Sequence, residues 1–357
     1  MMKNLKELRK EIDVFDIRLL NLLNERAERV LEIGKIKQKK GESFYDPARE
    51  RKILKRLLRE NEGPLTASAL SEIVEGLLKS FRNLEKNLRV AYFGSPASFT
   101  HLAALKIFAK KTVFLPARTI ADVFAAVEKK EADFGVVPIE NSTEGVISYT
   151  LDTFLDSDLK ISAEVMLQIS HYLLSKGKLE GIKKVYSHPQ AIAQCRHWLE
   201  GNLPEAKIVE VESTAKAAEL AEKEAKTAAI ASDVAASLYH LNIIAKHIED
   251  SSRNLTRFLV LGREFSKRSG QDKTSVLFSI KDRVGALYDM LTPFRKHHIN
   301  LTKIESRPTK RKAWEYIFFV DLLGYKDDRE VKKALQELEE QCLFLKIFGS
   351  YPIRGEK

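Results

Sequence analysis

Cysteine is nearly absent: the 357 residues hold two, Cys195 and Cys342, far apart in different segments. A disulfide framework or a Cys-based metal cluster is therefore not expected. Long apolar runs are missing as well, and none approaches the ~20 residues that span a bilayer. The opening Met1-Met2-Lys3-Asn4-Leu5-Lys6-Glu7 lacks an apolar signal core, so the cytoplasm is the expected location. The chain carries a net charge of +10, but it has no arginine–aromatic ladder. Lys and Arg interleave with Glu, and the densest basic runs are Lys35-Ile36-Lys37-Gln38-Lys39-Lys40 and Lys310-Arg311-Lys312. Nucleic acid and membrane are thus not expected partners, and an anionic small substrate explains part of the excess. What is present is apolar material for several cores, at 44% hydrophobic residues. The length suggests two or three domains of about 150 residues each.

Residues 1–88 read as three helices. Leu5, Leu8, Ile12, Phe15, Leu19, Leu22, Val30 and Ile33 recur at helical spacing. They describe one long amphipathic helix ending near Gly41, long enough to imply a partner helix. Asp46-Pro47 starts a second helix, with an N-cap acid before a proline at the first position. A third runs from about Thr66, with Leu70, Ile73, Val74, Leu77, Leu78 and Phe81 on its apolar face. Charges fall where a core residue belongs: Arg26 and Lys37 on the first stripe, Glu50 on the second, Glu85 four after Phe81. A cation on a buried seam is costly unless an anion meets it; snorkelling or an internal ion pair is the alternative. Arg9 lies near the same face but about 25 Å from Arg26 along the axis at ~1.5 Å per residue. If both touch one ligand, Arg9 comes from an antiparallel second copy, which implies a helix-swapped dimer.

Leu8-Arg9-Lys10-Glu11-Ile12, Asn24-Glu25-Arg26, Gly34-Lys35-Ile36-Lys37 and Asp46-Pro47-Ala48-Arg49-Glu50-Arg51 resemble, in order and spacing, the all-helical chorismate mutase family. The resemblance implies that Arg9, Arg26 and Arg49 hold the substrate's two carboxylates beside Asp46. It assigns Lys37 to the ether oxygen and Glu50 to the ring hydroxyl. The pericyclic reaction needs positioning and electrostatic stabilisation of the breaking C–O bond. Glu85 aligns with a position that is Gln or Glu in the family. A glutamate donates to the ether oxygen only when protonated, so mutase turnover is expected to fall as pH rises.

Residues 89–268 alternate short apolar runs with helical stretches. Strands are expected at 88–93, 112–115, 133–137, 183–186, 206–211, 227–230 and 257–261, an α/β pattern with mainly parallel sheet. The length suits two lobes around a cleft, with Asp158 to Leu174 as an extended crossover. Gly135-Val136-Val137-Pro138-Ile139-Glu140-Asn141-Ser142 reads as a buried strand delivering polar groups beyond its end. Gly94-Ser95-Pro96-Ala97-Ser98-Phe99 opens a helix but is not a dinucleotide fingerprint. Ser187 and Thr214 precede helices, where N-capping is the plain role.

Val136-Val137-Pro138-Ile139-Glu140-Asn141-Ser142, Tyr186-Ser187-His188-Pro189-Gln190 with Gln194-Cys195, Glu212-Ser213-Thr214-Ala215 and Asn254-Leu255-Thr256-Arg257-Phe258 together resemble prephenate dehydratase. The family has two lobes like a periplasmic binding protein, with substrate between them. The resemblance gives Thr256 the departing hydroxide, with Glu140 or water completing the relay. It places Asn141, Ser142, Ser187, Gln194, Thr214, Arg257 and Phe258 around the substrate; a lobe-closing ion pair is the other reading of Arg257.

Residues 269–357 follow a polar linker and read as strand, helix, strand, strand, helix, strand, the ferredoxin-like α+β plan. Helices are expected from Asp282 to His297 and Asp327 to Gln341, and a strand from Trp314. His297-His298 reads as a favourable pair of cations at a helix C-terminus. Gly285-Ala286-Leu287 and Glu305-Ser306-Arg307-Pro308 resemble the ACT regulatory domain, where such stretches bind phenylalanine at a domain–domain interface. The whole chain therefore resembles a chorismate mutase (1–88), prephenate dehydratase (89–268) and ACT domain (269–357) in series. The resemblance implies conversion of chorismate through prephenate to phenylpyruvate with L-phenylalanine feedback. It implies a homodimer or higher assembly, and no cofactor or metal. An arogenate-preferring dehydratase and a non-enzymatic two-lobed solute sensor are the rival readings.

Overall fold

The computed structural model describes residues 4–251, 253–280, 283–308 and 316–353. The expected starts at Asp282 and Trp314 and the run Lys310-Arg311-Lys312 lie outside them. The chain divides into two compact units, residues 1–88 with 109–112, and residues 89–108 with 113–357.

The first unit is helical: α1 (Leu5–Lys40), α2 (Pro47–Arg59) and α3 (Ala67–Glu85). Local chemistry sets four of the six helix ends. Asn4 and Glu7 form a capping box at the start of α1, and Gly41 ends it at φ 67°, a left-handed conformation that suits glycine. Asp46 accepts from Arg49 N ahead of Pro47, and Thr66 accepts from Ala69 N. Where α1 crosses α3, a Cβ on Gly34 would stand 3.1 Å from the Glu85 carbonyl oxygen, so the close approach favours glycine. Only Val30 and Gly34 of α1 are buried. Leu5, Ile12, Phe15, Leu19 and Leu22 of its stripe remain more than half exposed.

The second unit begins with β1 (Arg89–Phe93), α4 (Phe99–Ile107), β2 (Val113–Ala117), α5 (Ile120–Glu128), β3 (Phe134–Asn141), β4 (Gly145–Val146), α6 (Ser148–Asp156) and β5 (Lys160–Gln168). The chain then crosses to a second lobe: β6 (Tyr172–Ser175), β7 (Lys184–Ser187), α7 (Pro189–Gln194), α8 (Arg196–Asn202), β8 (Lys207–Glu210), α9 (Thr214–Lys223), β9 (Thr227–Ala231), α10 (Asp233–Leu238) and β10 (Asn242–Ala245). It returns as β11 (Leu255–Gly262). The remainder is β12 (Asp272–Ser279), α11 (Ala286–Lys296), β13 (Leu301–Pro308), β14 (Tyr316–Leu323), α12 (Arg329–Gln341) and β15 (Phe344–Pro352).

Each lobe's sheet is only half parallel, which corrects the mainly parallel expectation. β1 pairs in parallel with β2 and β3, and β7 with β8 and β9. β11 runs antiparallel between β3 and β5, and β6 antiparallel between β9 and β10. The cause is the double crossing: the strand that leaves a lobe and the strand that returns lie side by side in opposite senses.

The terminal sheet, β13-β14-β12-β15, joins the first-lobe sheet β5-β11-β3-β1-β2 edge to edge. The seam is a pairing of Gly349 with Ile161, where a Cβ on residue 349 would sit 2.7 Å from Ile161 Cβ. Across it, Phe124, Phe154, Leu259 and Leu261 share one core with Ile317, Phe319, Phe348 and Tyr351. Each such side chain stabilises by about 1.5–3 kcal/mol when fully buried, so this terminal domain is packed onto the first lobe and shares its core.

Candidate functional site

Two clusters of polar side chains are built into these frameworks. In the helical unit, the Arg26 guanidinium lies over the Phe81 ring at 4.3 Å. Its Nη1 is buried without a hydrogen-bond partner among the described residues. Burial pulls this guanidinium below its ordinary pKa, with Glu85 opposing. Lys37 Nζ donates to Glu85 Oε2 at 2.6 Å. Glu85 is thus an acceptor here, not the donor that the ether-oxygen role needs. On the α2 side, Arg82 donates from Nε (3.0 Å) and Nη2 (2.5 Å) to the same oxygen, Glu50 Oε1. Arg82 also stacks on Tyr45 at 4.2 Å, and its two bonds leave Glu50 Oε2 without a hydrogen bond among the described residues. Arg26 and Lys37 both face Glu85, two cations against one carboxylate.

Arg9 and Arg49 are exposed and do not join this cluster within one chain, and Asp46 is occupied as the α2 cap. Arg82 was missed by the sequence reading. The signal was present: Val74, Leu78 and Arg82 stand at i, i+4 and i+8, so Arg82 falls on the buried face of α3.

The second cluster lies where β3 and β11 end at the crossing between lobes. Register pairs Thr256 with Asn141 and Arg257 with Glu140. Side chains alternate across a sheet, so the first pair faces one way and the second the other. Asn141 Oδ1 accepts from the backbone N–H of Thr143 and Glu144, which fixes the amide's orientation. Its Nδ2 then donates to Thr256 Oγ1 and to Asn254 Oδ1, both at 2.7 Å. Asn254 Nδ2 donates to Gln194 Oε1 at 3.0 Å, and His171 Nε2 meets the same oxygen at 2.8 Å. Thr256 Oγ1 therefore receives a hydrogen bond from an amide, while its own proton has no acceptor among the described residues. The arrangement suits a hydroxyl that donates to a departing oxygen.

Several placements differ from the expectations. Arg257 is on the other face, 7% exposed. It donates to Glu164 Oε2 (2.8 Å), Asp321 Oδ2 (2.6 Å) and Tyr351 OH (2.9 Å). Its guanidinium is bonded to β5 and to the terminal sheet and is turned away from the Thr256 cluster. Glu140 shares that face and accepts from Lys303 at 2.7 Å, so it does not complete a relay with Thr256. Ser187 is fully buried and donates to the Ile230 carbonyl. Ser142 donates to the Arg253 carbonyl and accepts from Leu255 N, bracing the turn after β3. Phe258 is core, 1% exposed. The caps expected of Ser187 and Thr214 belong to their neighbours, His188 and Ser213. Thr214 stands at the first turn of α9.

In the terminal domain a cavity of about 270 Å³ is lined by Ile280, Arg283, Gly285, Ala286, Leu287, Tyr288, Tyr316 and Phe318. Glu305, Ser306, Arg307 and Pro308 do not line it within one chain. On β13 residues alternate, and Arg307 reaches Asp152 at 3.3 Å as Lys303 reaches Glu140. His297 is not a free helix-end cation: it meets Glu330 (3.1 Å) and Glu337 (2.9 Å) of α12.

A chorismate mutase type II family model matches residues 8–86, a prephenate dehydratase model 90–266 and an ACT domain model 274–340. The bifunctional chorismate mutase/prephenate dehydratase of Aquifex aeolicus (strain VF5) is 52% identical over 356 residues, covering 98% of each chain. Among solved structures, prephenate dehydratase from Arthrobacter aurescens in complex with L-Phe matches with a TM-score of 0.69 at 32% identity. That match covers 74% of this chain and 90% of the other. The prephenate dehydratase of Staphylococcus aureus subsp. aureus Mu50 matches with a TM-score of 0.65 at 30% identity, over 74% and 100%. With three domain models in series and a relative this similar along its whole length, the chain belongs to the bifunctional chorismate mutase/prephenate dehydratase family.

Proposed function

We propose that the helical unit converts chorismate to prephenate, and that the two-lobed domain converts prephenate to phenylpyruvate, carbon dioxide and water. The observation that carries the reading is a pair of unfinished hydrogen-bond sets: the buried Arg26 Nη1 without an acceptor, and the Thr256 hydroxyl whose oxygen is filled while its proton is unplaced.

In the mutase step Arg26 binds a substrate carboxylate, and Lys37 turns one of its three N–H groups to the ether oxygen. There it stabilises charge on the breaking C–O bond. Glu50 Oε2 accepts the ring hydroxyl. Arg9 comes from a second copy, paired along the exposed stripe from Leu5 to Leu22 of α1; the exposure of that stripe supports a homodimer. Arg49 joins when substrate binds. In the dehydratase step the ring carboxylate leaves as carbon dioxide, its bonding electrons enter the ring, and the C–O bond to the ring hydroxyl breaks. Thr256 donates to the departing hydroxide, and solvent supplies the proton that makes it water. Asn141 orients Thr256, and the amide nitrogen of Gln194, without a partner among the described residues, donates to substrate. L-Phenylalanine occupies the cavity at Gly285, Ala286 and Leu287 and slows the dehydratase, with Glu305 and Ser306 contributed across the domain–domain contact.

The test is chorismate added to the pure full-length chain. Prephenate and then phenylpyruvate are expected. Chorismate left unchanged overturns the mutase reading, and prephenate that accumulates without phenylpyruvate overturns the dehydratase reading.

A further inference from the structure

We propose that His171 is a positioning residue for the dehydration step, acting through Gln194 and the amide chain that ends on Thr256. It lies in the crossing between β5 and β6, is 2% exposed, and stands edge-on to Phe99 at 5.6 Å. Its backbone is clamped on both sides: its N–H donates to Glu249 Oε2 at 2.8 Å, and its carbonyl accepts from Ile248 N at 3.0 Å.

The direction of every hydrogen bond between His171 and Thr256 follows from one fixed point. Two backbone N–H groups hold Asn141 Oδ1, so its NH2 must donate to Asn254 Oδ1 and Thr256 Oγ1. Asn254 must then donate to Gln194 Oε1. That oxygen is an acceptor, so His171 contributes Nε2–H to it. Burial keeps the imidazole below its ordinary pKa against the opposing pull of Gln194 and Glu249, so the ring is neutral and Nδ1 carries a lone pair. Nδ1 is buried with no partner among the described residues. The ring therefore works through Nε2 alone: it turns the Gln194 carbonyl inward and leaves the Gln194 NH2 to face the substrate. Without that donor, Gln194 can flip and present the wrong group to both Asn254 and the ligand.

This inference rests on the assignment of Thr256 to the leaving hydroxide, so Thr256→Ala is measured beside it. Full dehydratase turnover in Thr256→Ala overturns that assignment whatever His171 does. With Thr256 established, His171→Phe in the full-length chain is expected to lower dehydratase kcat about tenfold, the loss of one hydrogen bond read as rate. KM for prephenate should move less than about twofold, as for an interaction realised in the transition state, and mutase turnover should not change. The conservative pair decides the atom. Glutamine places its amide NH2 near Nε2, whereas asparagine reaches only the Nδ1 position. His171→Gln is expected to restore most of the rate and His171→Asn not. Wild-type kcat in His171→Phe, or rescue by Asn and not Gln, overturns the proposal; if His171→Phe fails to fold, the Gln and Asn variants carry the test.

Discussion

Replacing Arg257 with methionine separates a tether from a substrate ligand. In the structure this guanidinium bonds Glu164, Asp321 and Tyr351 at 2.6–2.9 Å, and both carboxylates are buried, 2% and 6% exposed. Removing one member of a buried ion set leaves the others desolvated and unpaired, at a cost of about 3–5 kcal/mol. Two contacts soften the loss. Lys273 still bonds Glu164 at 3.0 Å, and Ser275 still donates to Asp321. The expected loss is therefore about 3 kcal/mol, the low end of that range. For a unit of this size that lowers the midpoint of its thermal transition by about 6–12 °C.

The pH dependence has a definite sign. Burial alone would raise the Asp321 carboxyl; Arg257, Lys273 and the Ser275 hydrogen bond outweigh it and hold it below its ordinary value. A depressed carboxyl contributes stability above its unfolded pKa and loses it as pH falls through the folded one. Without Arg257 burial has less to oppose it, so the carboxyl moves up and its penalty eases on acidification. The gap in midpoint between wild type and Arg257→Met should narrow from pH 8 to pH 5, read by calorimetry on the full-length chain. Asp321→Asn should lose part of the same stability, and the double variant less than the sum. A midpoint shift under about 2 °C, together with a raised KM for prephenate, would refute the tether and return Arg257 to the substrate.

Arg26→Ala should abolish mutase turnover and spare the dehydratase, and Thr256→Ala the reverse; coupled loss in folded variants argues against separate sites. Glu85→Ala should lower mutase turnover, because Lys37 loses the carboxylate that holds it at 2.6 Å; unchanged turnover takes Glu85 out of the mutase site. Arg82→Met should cost at least about tenfold in mutase kcat/KM, because Glu50 loses the two charge-assisted hydrogen bonds that anchor it; an unchanged value shows that Glu50 needs none. L-Phenylalanine should slow the dehydratase, and Glu305→Ala should weaken that effect; unaltered inhibition takes Glu305 out of the sensor.

Much of the fold could be read from local chemistry. The helix limits at Gly41, Asp46 and Thr66 are capping events confined to a few residues. The inward charges at Arg26, Lys37, Glu50 and Glu85 stand out because 3.6-residue periodicity says which face they share. The same periodicity contained Arg82, unread beside Phe81. The terminal strand–helix order was equally legible, since alternation and helical spacing differ so plainly there.

Periodicity cannot say which strand lies beside which, and that is where tertiary structure decided the polar cluster around Thr256. Thr256 and Arg257 are adjacent in sequence and look like one motif. A strand turns successive side chains to opposite faces, so pairing with Asn141 and Glu140 sent one to the lobe crossing and the other into the terminal sheet. His171 and Asn254 are brought to Gln194 from 23 and 60 positions away, a meeting that no local spacing encodes. Sequence alone thus determined the elements and the charges they carry, because caps and periods are short-range. Only the folded chain decided which polar groups complete one another, because hydrogen-bond partners are chosen across strands and lobes.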